Sequence, residues 1–184
     1  VSLSYYRIRV RNLTSGFHLI RKKLSYMSSQ QSNNIVVIGA SAGGIKALDD
    51  LFASLKPGVN ASIFVVIHLS EFANIQHIIA DLQKRCRLEI SVPEDGEAIV
   101  HEKIYFAPND QHMMLARDLI LIKGGALENR WRPSIDVLFR TAAAAYDSCV
   151  TGIILSGLLD DGTSGMLAIK GAGGRCIVQE PEEA

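Results

Sequence analysis

Apolar residues follow two alternating rhythms along this chain. Ile35-Val36-Val37-Ile38 is a short β-branched run, read as a buried strand, and a glycine turn at 39–44 follows it. Positions 45–55 place Ile45, Leu48, Leu51, Phe52 and Leu55 at helical spacing, and Pro57-Gly58 stops that helix. A second strand over 63–67 ends at His68, and a helix over 74–85 comes next. Strands are predicted at 88–92 and 104–107, and a hairpin from 112–116 and 119–123 about Arg117-Asp118. The polar, glycine-bearing stretch 124–132 reads as a loop. Pro133-Ser134 opens a helix through Tyr146, with Ser134 as its N-cap. A strand over 150–156, a loop over 157–162, a helix over 163–170 and a strand over 175–179 complete the pattern.

Strands that alternate with helices imply right-handed βαβ units. The expected class is α/β: a three-layer, mostly parallel, doubly wound (Rossmann-like) sheet with one antiparallel hairpin. Hydrophobic residues make up 48% of the 184-residue chain, enough for a sizeable core, and the few aromatics favour a helix-covered sheet over a β-sandwich. Two domains of sequence are expected. Residues 1–34 carry Arg7, Arg9, Arg11, Arg21, Lys22 and Lys23 without a single acid, and read as a flexible N-terminal extension with Met27 as an internal start. Residues 35–184 form the folded unit.

Formal net charge is zero, which gives no bias toward nucleic acid or anionic membranes. The apolar runs are too short to span a bilayer, so no direct membrane insertion is expected. Cys86, Cys149 and Cys176 lack CxxC spacing and suggest reduced thiols in a cytoplasmic protein. No His/Asp/Glu set has metal-ligand spacing, and no metal or cofactor is expected. His77, His101 and His112 read as surface residues.

Three chemically suggestive positions fall at strand ends, where ligands of such sheets bind. Gly39-Ala40-Ser41-Ala42-Gly43 matches G-x-S-x-G, a turn that exposes a serine hydroxyl near helix N–H groups. A phosphate-cradling turn has a similar composition. His68 is suited to serve as the base for a serine, or to be a strand-end histidine held by the backbone. Asp160 and Asp161 are rival carboxylates for orienting that histidine, and either could equally shape a turn or cap the next helix. A dinucleotide-binding domain would need an acid near the end of the second strand, where His68 stands. A general α/β-hydrolase expects the order serine, acid, histidine, which this chain does not follow.

At these residues the chain resembles the catalytic domain of the chemotaxis protein-glutamate methylesterases, the CheB family. The likeness runs over 35–179 through Ile38-Gly39-Ala40-Ser41-Ala42-Gly43-Gly44, His68-Leu69, Glu94-Asp95-Gly96, Tyr105-Phe106-Ala107-Pro108, Arg132-Pro133-Ser134-Ile135-Asp136 and Ser156-Gly157-Leu158-Leu159-Asp160-Asp161-Gly162. The resemblance selects Asp161 over Asp160. It implies a catalytic triad of Ser41, His68 and Asp161, with backbone N–H groups near Ala42 and Leu158 as the oxyanion site. The implied activity is hydrolysis of glutamyl methyl esters on chemoreceptors, together with deamidation of receptor glutamine. The implied partners are the methylated cytoplasmic helices of chemoreceptors, and a methyltransferase or receiver domain acting in trans. The family's receiver domain and C-terminal extension have no counterpart in this sequence, so a truncated C-terminal part is expected. Ala42, Leu158, Leu159 and Trp131 stand where the family often has Thr, Met, Gly and His. Ala42, Leu159 and the short C-terminus point to the alternative, an esterase-like binding or signalling module of a larger hybrid sensor protein.

Overall fold

The computed structural model describes residues 6–8, 34–70, 73–155 and 160–179. Its elements are β1 (Tyr6–Ile8), β2 (Ile35–Ser41), α1 (Ile45–Ser54), β3 (Ser62–His68), α2 (Ile75–Gln83), β4 (Glu89–Ser91), β5 (Glu97–Ala98), β6 (Lys103–Phe106), β7 (His112–Ala116), β8 (Leu119–Lys123), α3 (Ile135–Tyr146), β9 (Val150–Leu155), α4 (Thr163–Gly171) and β10 (Arg175–Gln179). Seven strands form a sheet in the order β1-β10-β9-β2-β3-β6-β4, and β5-β8-β7 form a small second sheet. Every pairing in the large sheet is parallel, and both pairings in the small one are antiparallel. The expected α/β architecture with its hairpin is therefore present. The hairpin gains β5 as a third strand, too short to stand out from the sequence.

Strand alternation divides the core into two layers. Val36, Ile38, Ile63, Val65, Ile67, Ile104 and Phe106 face one side, where they pack with Leu48, Leu51 and Phe52 of α1 and Ile79 and Leu82 of α2. Ile35, Val37, Phe64, Val66 and Tyr105 face the other, with Leu138, Phe139 and Ala142 of α3, Met166 and Ile169 of α4, and Met113 and Ile120 of the small sheet. Burial on both faces is why the central strands read as unbroken apolar runs rather than as alternating ones.

Three details differ from expectation. β2 continues through Gly39 and Ala40 to Ser41, because those residues pair in register with Val66 and Ile67 of β3 and with Ile154 and Leu155 of β9. The turn starts only at Ala42–Gly44, as one turn of 3-10 helix leading into α1. Within the basic segment, Tyr6–Ile8 pairs in parallel with β10. The rest of 1–33 with Met27, the strand end expected at Ser156, the loop expected at 157–159 and residues 180–184 lie outside the described residues.

Gly39 of β2 packs directly against the Ile135 side chain at the start of α3. A Cβ there would lie 2.5, 2.8 and 3.0 Å from side-chain carbons of Ile135, which is itself buried. Gly39→Ala is expected to destabilise the fold by about 1–3 kcal/mol through overpacking. Urea denaturation reads this as a lower midpoint, and an unchanged midpoint would show that Ile135 yields freely.

Candidate active site

The chain leaves β2 toward β3 on one side and returns to β9 on its other side, so β2 lies at the point where the strand order reverses. Crevices for ligands open at the carboxyl ends of strands at such a point. Ser41 is the last residue of β2 and His68 the last of β3, and the two are direct register partners. Neighbouring strands lie about 4.8 Å apart, so the two side chains start from adjacent backbone. Ser41 is not among the described non-glycine residues with positive φ. It ends an extended strand rather than sitting on the strained elbow of an α/β-hydrolase.

His68 is buried, and its Nε2 lies 2.8 Å from Oδ2 of Asp161. Asp160, the rival in sequence, is exposed. The structure thus sets Ser41 beside His68 in register and Asp161 against His68, at the carboxyl end of the sheet, from β2, β3 and the segment leading to α4. Leu158 is outside the described residues, and Ala42 is placed in the turn directly after Ser41.

Asp161 is held with unusual completeness. Its side chain has no exposed area. Oδ1 accepts from Ser134 Oγ at 2.9 Å, from the Asp136 N–H at 3.0 Å and from Asn129 Nδ2 at 3.0 Å. Oδ2 accepts from the Ile135 N–H at 2.7 Å in addition to its contact with His68. Burial alone would raise this carboxyl group's pKa. The hydrogen bonds from His68, the Asp136 and Ile135 amides and Asn129 outweigh it and lower the pKa from 3.8 to about 2.

Two helix starts exchange carboxylates to build this arrangement. Asp161, just ahead of α4, accepts from the first N–H groups of α3. Asp136, in the first turn of α3, accepts from the Gly162 N–H at 3.1 Å and the Gly165 N–H at 2.6 Å at the start of α4. Each carboxylate satisfies otherwise unpaired N–H donors and meets the positive end of the neighbouring helix dipole. Gly162 is the N-cap of α4 at φ 106 and has no side chain with which to cap it, so Asp136 performs that role from another helix. Asn129 links both acids, with Nδ2 2.8 Å from Asp136 Oδ2 as well as 3.0 Å from Asp161 Oδ1.

Asn129 carries no signal in the sequence, and Asp136 stands out there only as part of the 132–136 stretch. His112 needs a correction. It is buried, accepts from the Ser134 N–H on Nδ1 at 3.2 Å and lies 3.0 Å from the Ala126 carbonyl through Nε2. It pins the start of α3, whereas a surface role was expected because polar turns flank it. His77 and His101 are exposed, as expected.

A cleft of about 480 Å³ opens beside His68, walled by Leu69, Asn109, Leu127, Arg130, Trp131 and Arg132 among others. Arg132 is committed to Asp110, at 2.6 and 2.8 Å, and to the Gly125 carbonyl. Arg130 stands on the wall at φ 70. Among the described residues no group of three or more His, Cys, Asp or Glu could hold a metal ion. Also among them, no helix is long and apolar enough to cross a membrane.

A serine beside a carboxylate-held histidine, at the carboxyl edge of a parallel sheet, is the layout of a serine hydrolase. Comparison with known proteins narrows the class. Residues 36–184 match the family described as CheB methylesterase, and the chain belongs to that family. It is 34% identical over 156 residues to protein-glutamate methylesterase/protein-glutamine glutaminase 2 of Rhodospirillum rubrum, covering 83% of this chain and 42% of that protein. It is 37% identical over 150 residues to the corresponding protein 4 of Anaeromyxobacter dehalogenans, covering 79% of this chain and 42% of that one. The crystal structure of the Thermotoga maritima CheB methylesterase catalytic domain superposes with a TM-score of 0.75 at 32% identity, covering 82% of each chain. The chain spans 42% of the length of those two curated relatives.

Proposed function

We propose that this chain carries the catalytic domain of a protein-glutamate methylesterase, with residues 35–184 as the hydrolase and 1–34 as an extension ahead of it. The observation that carries the reading is the 2.8 Å His68–Asp161 contact on a histidine in register with Ser41. The names of the relatives supply the substrate class, methyl esters of protein glutamate and the amide of protein glutamine.

The geometry supports a definite division of labour. Asp161 accepts from Nε2 and so selects the tautomer with its proton there, which leaves Nδ1 to take the Ser41 proton. Ser41 Oγ attacks the ester carbonyl as its proton passes to His68. Backbone N–H groups at Ala42 and Leu158 stabilise the tetrahedral oxyanion, near the positive end of α1. As the intermediate collapses, the C–O bond to the methoxy group breaks, and methanol leaves with the proton from the imidazolium. Water, activated by the same ring, then cleaves the acyl-serine to give a glutamate carboxylate and restore Ser41. With a glutamine side chain, ammonia leaves in place of methanol.

The proposed partners are methylated cytoplasmic helices of chemoreceptors, with a methyltransferase or receiver domain acting in trans. That substrate places the protein in the cytoplasm. The test is methanol release from a methylated chemoreceptor fragment. Steady release above the fragment-only rate is expected. Binding of the fragment without any methanol would sink the esterase reading and leave an esterase-like binding module.

A further inference from the structure

A single hydrogen bond does not fix the orientation of a ring. The Nε2–Oδ2 contact sets one atom of the His68 imidazole and one direction, but leaves the plane free to rotate about that axis. The missing constraint is Trp131. Its ring lies with centroid 4.0 Å from that of His68 and 2° from parallel, a face-on stack. Nothing in the chemistry above uses this side chain.

The turn that carries Trp131 is itself anchored on the site. Glu128 and Trp131 exchange backbone hydrogen bonds of 3.1 and 2.9 Å, and Asn129 and Arg130 between them sit at φ 50 and 70. Asn129 ties the turn to both buried carboxylates, and Arg132 ties its other end to Asp110. The plane of the indole is therefore set by the same network that holds Asp161. The indole N–H is buried and has no hydrogen-bond partner among the described residues. An unpaired buried donor is unfavourable. Trp131 is thus not held there by its polar group, and its flat apolar face is what the site uses.

The geometry points to Trp131 as a positioning residue for the proposed hydrolysis, a shelf that holds the His68 ring in the plane where Nδ1 faces Ser41. This rests on the roles given above to Ser41 and His68. The imidazolium formed during the reaction lies on the indole face, where a cation is attracted more strongly than the neutral ring. The interaction thus grows toward the transition state, and its loss falls on kcat rather than on KM.

Trp131 is the only tryptophan in the chain, so its emission reports this contact directly. Protonated imidazole in contact with indole quenches its fluorescence. Charged groups beside the pair among the described residues include Asp161, on His68, and Asp110, Arg130 and Arg132, which share the cleft wall with His68 and Trp131. His112, the other imidazole nearby, is engaged with Ser134 and Ala126.

Two measurements test the inference together. Emission of the wild-type chain should fall in one step as pH is lowered, and His68→Gln should abolish that step. In methanol release, Trp131→Ala should lower kcat about tenfold or more with KM within about twofold, as expected for a displaced base. Trp131→Phe keeps a flat face without the N–H and should stay within about threefold of wild type. The inference fails if the emission step is absent or survives in His68→Gln, if Phe is as damaging as Ala, or if the loss appears in KM. No methanol release from the wild type would bring down the esterase reading and this inference together. A missing emission step with methanol release intact would bring down this inference alone.

Discussion

Ser41→Ala should reduce kcat for methanol release by about a millionfold, to a rate set by whatever binding and oxyanion stabilisation remain. The physical reason is loss of the atom that forms the acyl bond. The sharper form of the test uses a second variant. Ser41 and His68 act on one proton, so they form a unit, and removing either should cost nearly as much as removing both. The double variant Ser41→Ala/His68→Gln is therefore expected to match Ser41→Ala within a few-fold rather than to multiply the two losses. Multiplicative losses would mean that the two residues act independently, which the triad assignment cannot accommodate. Substantial release from Ser41→Ala alone would move the nucleophile elsewhere.

Asp161→Asn should lower kcat by about ten-thousandfold, because an amide cannot hold the imidazole in the same tautomer. This variant carries a second, independent signature. Among the described residues, the five contacts to the carboxylate all come from groups able to donate, Asn129, Ser134, the Ile135 and Asp136 amides and His68. An Asn side chain brings two donor hydrogens of its own into that shell and leaves buried donors unpaired. The pH dependence of stability shows the difference. The folded pKa of Asp161 is depressed, from 3.8 to about 2. Its stabilisation is therefore fully present above the unfolded value and lost as pH falls through the folded one. By linkage this amounts to about 2 kcal/mol in the wild type, disappearing between roughly pH 4 and pH 2. Asp81 and Asp95 are also depressed, by Lys84 and Lys123, but they remain in both proteins, so a difference curve isolates Asp161. Urea denaturation of both proteins across that range should give a wild-type advantage that shrinks toward acid pH. An advantage independent of pH would mean that charge on Asp161 contributes nothing to folding.

Ser41, His68 and Asp161 were legible as candidates because each follows an apolar strand, and the carboxyl ends of parallel strands converge. Residue type and strand-end position were local information. The choice between Asp160 and Asp161 was not, since both lie in one polar loop. It was made by resemblance, and in the structure Asp161 is buried on His68 while Asp160 is exposed. His112 was misjudged for a related reason. Polar neighbours in sequence suggested a surface, but its β-strand turns the ring inward toward the start of α3. Asn129 and Trp131 lay in a stretch read only as a loop, and no periodicity marks a residue whose role is to reach across to another element.

The element order, the doubly buried parallel sheet and the strand ends at which chemistry gathers are all written locally along the chain. Those follow from hydrophobic period, β-branched runs and glycine turns, which act over a few residues at a time. Packing of the folded chain is what makes α3 and α4 exchange carboxylates at their N-termini. The same packing lets Asn129 bridge them and lays Trp131 flat on His68. Each of these joins residues that the sequence keeps apart. Each also depends on buried donors and acceptors that must be satisfied across elements, a condition that exists only once those elements have packed.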